Sequence, residues 1–277
     1  MNPVLRRVLR RIGKPALELA LPWAERFTGF RTARGDYLPS RLRMLTGRYE
    51  AEEFALMRQF LRPGQTVLDI GANVGYTTRF LARAVGPTGR VYAFEPNPLI
   101  FPLLKENLTR FEQVKTHNLG LASSAGEFPL FLAGNNHSVA CFSEEYPATH
   151  LAYMENETMA TVLAHVDRGD ELLQREGVDH IDILKIDVEG WELNALAGLE
   201  QTIARSAGVA IFCEFNPAAQ RCAGHEPQDL LHWFVDRQFV LSYLEGGRLE
   251  SVSAGSIDQF TAQVAARSHS TLFATRK

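Results

Sequence analysis

The sequence predicts an α/β fold, in which a parallel sheet of seven principal strands is covered by helices on both faces. Three observations carry this reading. From residue 66 onward, apolar runs of strand length alternate with segments of helical period, the pattern that makes a sheet parallel and wraps it on both sides. A glycine-bearing loop, Gly71 to Gly75, joins the first of these strands to the first helix. The next strand then ends on an acid, Glu95.

The strands are expected at residues 66–70, 90–95, 114–118, 181–188, 209–215, 239–244 and 271–274, and the helices at 76–85, 99–111, 192–205 and 227–237. Between residues 127 and 161 the alternation lapses into two short strand-like pieces, 128–132 and 138–142, and a polar stretch at 146–157. This reads as an inserted hairpin and loop. Residues 1–47 read as a basic helical extension and connector, and 48–277 as the main domain carrying an insertion at about 127–160.

Leu5, Val8, Leu9 and Ile12 share one helical face of the extension, with Arg6, Arg7, Arg10 and Arg11 largely elsewhere. Such a helix either packs on the domain or makes peripheral contact with a membrane surface. The apolar stretch at 15–22 is broken by Glu18, so a signal peptide is not expected, and no run of about 18 apolar residues offers a membrane span.

Of the 277 residues, 45% are hydrophobic and 22% charged, with a net charge of -3. That composition is globular and gives no overall basic field for nucleic acid. Three cysteines, Cys141, Cys213 and Cys222, lack C-x-x-C spacing, which favours a reducing compartment and a cytoplasmic location.

A strand, a D-x-G-x-N-x-G loop, a helix and a second strand ending in an acid form a nucleotide-type site at the carboxyl edge of a parallel sheet. Glycines there let the backbone turn tightly and approach a ligand, and Glu95 is placed to accept from both hydroxyls of a ribose. The dinucleotide fingerprint requires glycine at the first, third and sixth loop positions, which here are Gly71, Asn73 and Tyr76. A nucleoside linked to an amino acid fits this loop better than a dinucleotide, with the Asp69 carboxylate suiting the amine. A nicotinamide-dependent oxidoreductase and a non-catalytic binding scaffold are the competing readings.

The motifs Leu68-Asp-Ile-Gly-Ala-Asn-Val-Gly-Tyr76, Val91-Tyr-Ala-Phe-Glu-Pro-Asn-Pro98, Leu184-Lys-Ile-Asp-Val-Glu-Gly-Trp-Glu192 and Ser270-Thr-Leu-Phe-Ala274 resemble those of the FkbM family of S-adenosylmethionine-dependent methyltransferases. The resemblance implies a Rossmann-like class I methyltransferase fold whose last strand is inserted antiparallel. It also implies S-adenosyl-L-methionine as cofactor and a hydroxyl of a sugar, glycoconjugate or polyketide-type metabolite as acceptor. By position, Asp69, Gly71, Ala72, Asn73 and Gly75 would surround the methionine part of the cofactor, Glu95 and Pro96 the ribose, and Asn118 the adenine.

Catalytic candidates follow from strand ends. Asp187 closes the fourth strand, while Glu214 and Asn216 close the fifth on one face. Adjacent strands lie about 4.8 Å apart, so the three can converge near the transferred methyl, with Asp187 or Glu214 as base and Asp187 also touching the cofactor. Asp187, Glu214 and Asn216 are also weak candidates for a divalent metal, which is not expected. His137, in the insertion that overhangs the pocket, is a further acceptor contact. Lys185, Asp187 and Glu189 alternate along their strand, with Lys185 read as an ion-pair partner, Glu189 as a cap for the next helix and Trp191 as packing for its start.

Overall fold

The computed structural model describes residues 3–151, 158–246 and 248–276, with side chains from residue 16 onward. In chain order the elements are α1 (Pro3–Thr28), α2 (Leu38–Leu45), α3 (Ala51–Met57), β1 (Thr66–Ile70), α4 (Tyr76–Val85), β2 (Arg90–Phe94), α5 (Phe101–Leu108), β3 (Val114–His117), β4 (Gly120–Ala122), β5 (Gly126–Ala133), β6 (Asn136–Cys141) and α6 (Glu145–Leu151). They continue as β7 (Met159–Arg168), α7 (Gly169–Arg175), β8 (Ile183–Ile186), α8 (Glu192–Gly198), α9 (Glu200–Arg205), β9 (Ala210–Phe215), α10 (Pro217–Cys222), α11 (Pro227–Asp236), β10 (Val240–Glu245), β11 (Arg248–Val252), α12 (Ile257–Ala265) and β12 (Ser270–Thr275).

Among the described residues the main sheet has eight strands, ordered β11-β10-β12-β9-β8-β1-β2-β3. The five from β9 to β3 run parallel, and β12 lies antiparallel between β9 and β10. The antiparallel insertion of the last strand is therefore present. The eighth strand, β11, was not expected. It is an edge hairpin partner of β10 whose Arg-Leu-Glu-Ser-Val sequence is largely exposed and shows no apolar alternation.

Successive residues of the central strands face opposite layers, as a period of two requires. Val67, Ile183 and Phe212 pack with Phe54, Met57, Leu81 and Val85 of α3 and α4. Leu68, Leu184 and Ile211 pack with Leu196, Leu230 and Phe260 of α8, α11 and α12. The sheet is thus buried on both faces. The chain enters it at β1, which has β2 on one side and β8 on the other, so the loops after these strands diverge and leave a crevice at their carboxyl ends.

Several local expectations are corrected. The expected hairpin is half of a four-stranded sheet, β4-β7-β5-β6, in which β7 pairs with β5 along eight residues. The half-exposed sequence of β7 hid it. Residues 145–151 of the expected polar loop form α6, and 152–157 lie outside the described residues. The helix expected at 192–205 breaks at Leu199, because the buried Asp170 carboxylate accepts from the Gln201 and Thr202 amides and starts a new helix there. Helices α7, α10 and α12 were not expected, and neither was α2, which falls inside the expected connector.

The extension is fastened to the loop after β1. Asn107 of α5 accepts from the Arg31 amide at 2.8 Å and donates to the carbonyls of Arg31 and Val74, also at 2.8 Å. Arg79 of α4 donates to the carbonyls of Gly29 and Thr28. Replacing Asn107 by Ala leaves three backbone groups without their partner, and the expected loss is about 2 kcal/mol of stability. Denaturant unfolding measures it, with faster amide exchange over residues 29–45 as the local sign.

Candidate active site

The crevice at the carboxyl ends of β1, β8 and β9 opens into a cleft of about 1920 Å³. One wall is the loop after β1. Gly71 has φ +83°, and a Cβ there would lie 1.8 Å from the Asp187 carbonyl oxygen, so only glycine lets the β1 and β8 loops meet. The amides of Gly71 and Ala72 donate to the Phe94 carbonyl, at 3.0 and 2.9 Å, and that of Asn73 donates to Glu95 Oε2 at 2.7 Å. These amides hold the loop against β2 rather than standing free for a ligand carboxylate. Gly71, Ala72 and Asn73 line the cleft, as do Glu95 and Pro96. Gly75 turns instead towards Leu104 of α5.

Asp69 is fully buried beneath the loop, where its Oδ2 accepts from Thr78 at 2.6 Å, and it is not among the cleft-lining residues. Glu95 accepts from the Asn73 and Asn97 amides, one on each oxygen. Burial nevertheless pushes its carboxyl up to about 7. Asn118, expected at the adenine, also lies outside the cleft lining and donates to the Glu95 carbonyl at 2.9 Å. It pins the turn that carries Glu95. His137 reaches the same turn from β6, its Nδ1 accepting from Asn97 at 3.2 Å and its amide donating to Asp36 at 2.9 Å. Burial lowers its pKa and favours a neutral imidazole.

The floor of the cleft is ionic. Lys185, 6% exposed, donates to Asp187 at 2.9 Å; it was expected to be an ion-pair partner, and Asp187 is the acid it meets. Carboxylate oxygens of Asp187, Glu189 and Glu214 lie within 4.8 Å of one another. The strand does not bring all three there. β8 ends at Ile186, and Glu189 arrives through a turn with φ +50° at Glu189 and +97° at Gly190. A Cβ on Gly190 would lie 2.4 Å from the Ala219 carbonyl oxygen. Glu189 is therefore a cleft residue and not the cap expected of it. The helix has no side-chain cap, and it is Glu192, its first residue, that ties the turn by accepting from the Val188 and Gly190 amides. Trp191 does not line the cleft but packs against Phe128 and against Phe142, which does.

Asn216 lines the cleft, but both its polar atoms are committed, one to Tyr146 Oη at 2.7 Å and one to the Ala219 amide. Glu189 takes its place in the carboxylate group. Among the described residues, Asp187, Glu189 and Glu214 form the one group of acids, histidines or cysteines able to hold a metal ion.

Charge decides how the three acids behave. Burial would raise Asp187, but the charge and hydrogen bond of Lys185 outweigh it and hold the carboxyl below its ordinary range. Burial and the nearby Asp187 charge push Glu189 and Glu214 well above theirs. The ion pair thus favours the ionised form of Asp187, while burial beside it favours the neutral form of the other two. Glu189 Oε2 and Glu214 Oε2 are buried without a hydrogen-bond partner.

Sequence reasoning did not find the opposite wall. Tyr49, Glu50 and Glu53 come from the α3 region, and Asp36 and Tyr37 from the segment before α2. Glu50 accepts from Thr77 at 3.0 Å. The signal available was an acid pair, Glu50 and Glu53, at i, i+3 on a helix whose other face is apolar.

A doubly covered sheet whose last strand in the chain is inserted antiparallel between β9 and β10, with a glycine loop and terminal acid framing a cleft at the switch point, defines a Rossmann-like class I methyltransferase fold. The chain matches the Methyltransferase FkbM domain over residues 69–241 and belongs to that family. It is 30% identical over 157 residues to methyltransferase sdnD of Sordaria araneosa, covering 49% of this chain and 60% of that protein. It is 29% identical over 167 residues to the hexuronic acid methyltransferase AglP of Haloferax volcanii, covering 59% and 61%. Against the 31-O-demethyl-FK506 methyltransferase FkbM of Streptomyces tacrolimicus the identity is 29% over 160 residues, covering 50% and 61%. The chain thus spans about three-fifths of the length of these relatives. Among solved structures, the O-methyltransferase TomG of Streptomyces achromogenes aligns with a TM-score of 0.47 and 13% identity, over 95% of this chain and 90% of that one.

Burial holds the Glu50 carboxyl up at about 8, from an ordinary 4.5, against the opposing charge of Lys185. A folded-state pKa raised in this way gives a stability contribution that is full below pH 4.5 and is lost as pH rises through about 8. The melting temperature of the ligand-free protein is expected to fall across that window. Glu50→Gln, which cannot ionise, is expected to flatten the fall in a calorimetric pH series.

Proposed function

We propose that this protein is an S-adenosyl-L-methionine-dependent O-methyltransferase acting on a hydroxyl of a sugar, glycoconjugate or polyketide-type small molecule. The observation that carries the reading is the cleft itself. Its Gly71–Asn73 and Glu95 wall meets a floor where Asp187, favoured in its ionised form, stands beside two acids favoured in their neutral form. Relatives named as a hexuronic acid methyltransferase, an FK506 methyltransferase and a 2-O-methyltransferase support an oxygen acceptor. The free thiols of Cys141, Cys213 and Cys222 suit a cytoplasmic setting.

The residues present fit the cofactor. Asn73 Oδ1 is buried at the cleft wall without a partner, and each oxygen of Glu95 keeps a lone pair beyond its backbone bond, for the ribose hydroxyls. An acid-lined cleft also favours a cation. S-adenosylmethionine, when bound, supplies a methyl group activated by a positive sulfonium. Glu95 holds the ribose, and Asn73 and Asp187 flank the methionine end. Asp69 and Asn118 act one step back, by fixing the loop and the turn.

The chain's remaining task is to orient the acceptor and take its proton. Asp187 lines the cleft and its ionised form is favoured, so it would accept the hydroxyl's hydrogen bond and receive its proton as the methyl leaves the sulfonium sulfur for that oxygen. Glu189 and Glu214, favoured neutral beside it, can donate to other acceptor oxygens. Lys185 holds Asp187 in place, already supplies its positive partner, and removes the need for a metal at that carboxylate. His137 contacts the acceptor from the rim. Holding two reactants in line is the larger part of the rate, with effective molarities worth up to about 7–11 kcal/mol in favourable cases.

Calorimetric titration tests the donor. S-adenosylmethionine is expected to bind, and Glu95→Ala to weaken it by about tenfold or more while the protein stays folded. Binding of NAD(H) in its place would make the protein an oxidoreductase. A labelled-methyl assay across sugar and natural-product acceptors tests turnover. Asp187→Asn is expected to lower kcat by about 100-fold, well beyond its effect on cofactor affinity, and equal effects on the two would remove Asp187 from the chemistry.

A further inference from the structure

Helix α1 carries an apolar face that the other described residues leave open. Leu19, Trp23 and Phe27 recur every fourth residue and are 78%, 76% and 93% exposed. The opposite side of the helix is the one that packs. Leu21 is buried there, Glu18 accepts from Arg41 at 2.9 Å, and Glu25 accepts from the amide and hydroxyl of Thr32. In the sequence, apolar residues keep this helical spacing backward through Ala16, Ile12, Leu9 and Leu5. The helix spans 26 residues, or about 39 Å at 1.5 Å per residue.

We propose that α1 docks the protein on the surface of an anionic membrane, lying in the interface with Leu19, Trp23 and Phe27 inserted. Charge singles out this partner. Arg6, Arg7, Arg10, Arg11 and Lys14 stand on the same helix with no acid before Glu18, in a chain whose net charge is -3. Basic residues beside an apolar stripe match a surface of anionic headgroups over acyl chains, and tryptophan is enriched at that depth.

A second copy of the chain fits less well. Two such helices side by side would bring together two sets of five basic residues, while the acids of α1, Glu18 and Glu25, already have partners. Pro15 and Pro22 inside the helix also spoil a coiled-coil seam. Among the described residues no helix is long and apolar enough to cross a membrane, so the contact is peripheral. Leu17 and Glu18 of α1 line the cleft, so docking brings the cleft close to the bilayer surface. The docking stands independently of the methyl-transfer chemistry.

The test is sedimentation of the full chain with phosphatidylcholine vesicles, with and without phosphatidylglycerol. Binding is expected only where phosphatidylglycerol is present, and it should fall as salt rises. Substituting Leu19→Ser, Trp23→Ser and Phe27→Ser together is expected to lower the partition coefficient by about tenfold or more. The melting temperature should stay unchanged, because these side chains are already exposed. Absence of binding to the anionic vesicles at low salt would overturn the proposal. So would a solution dimer, seen by analytical ultracentrifugation, that the triple substitution dissociates, since the face would then belong to a second copy.

Discussion

The ion pair between Lys185 and Asp187 is the contact around which the cleft is organised. Lys185 is the buried cation among Glu50, Asp69 and Asp187, and burial alone would lower its pKa. The three carboxyls outweigh that and hold it well above its ordinary value. The single positive charge cannot neutralise every acid that faces it, so the others divide. Asp187, in direct contact, is held low, whereas Glu50, Glu189 and Glu214 rise. Like charges in a low-dielectric space separate their pKa values in this way. Without Lys185 nothing would hold the Asp187 carboxyl below its ordinary range, and burial would raise it with the others.

The backbone around the pair is shaped to allow it. Lys185 projects from β8, one of the central strands, and Asp187 follows immediately where the strand ends. The loop after β1 presses against the Asp187 carbonyl, and Glu192 ties the amides of the following turn. Positions of this kind are set by close backbone packing, so the carboxylates have little freedom to drift.

Much of this was legible in the sequence. The strands at 66–70 and 90–94, the helix at 76–85 and the Gly71 loop follow from apolar periodicity and glycine placement, both local signals. That Lys185 is an ion-pair partner was legible, though its partner Asp187, just past the strand end, was not named. What escaped was non-local or polar. β11 is exposed at its first four residues, so no buried face demands apolar alternation there, and the pattern of β7 is blurred by an exposed Leu163 on its solvent side. Asn216 met the geometric requirement for the carboxylate group but spends its side chain on Tyr146 and on capping α10. Glu189 entered the group only through a left-handed turn that strand periodicity does not anticipate. The wall formed by Tyr49, Glu50 and Glu53 depends on how the chain before the sheet folds back across it, and no motif encodes that.

The latch made by Asn107 and Arg79 fixes where the chain before β1 runs, and that segment closes the cleft. The family match covers residues 69–241, yet Asp36, Tyr37, Tyr49, Glu50, Glu53, His269 and Thr271 all line the cleft from outside it. The loop after β1 and the end of β8 therefore belong to the shared domain, and much of the wall facing them to flanking sequence. Two proteins could keep every motif of the domain and still enclose differently shaped and charged cavities. Kinship over the domain is then a guide to one wall of the cavity and says little about the other.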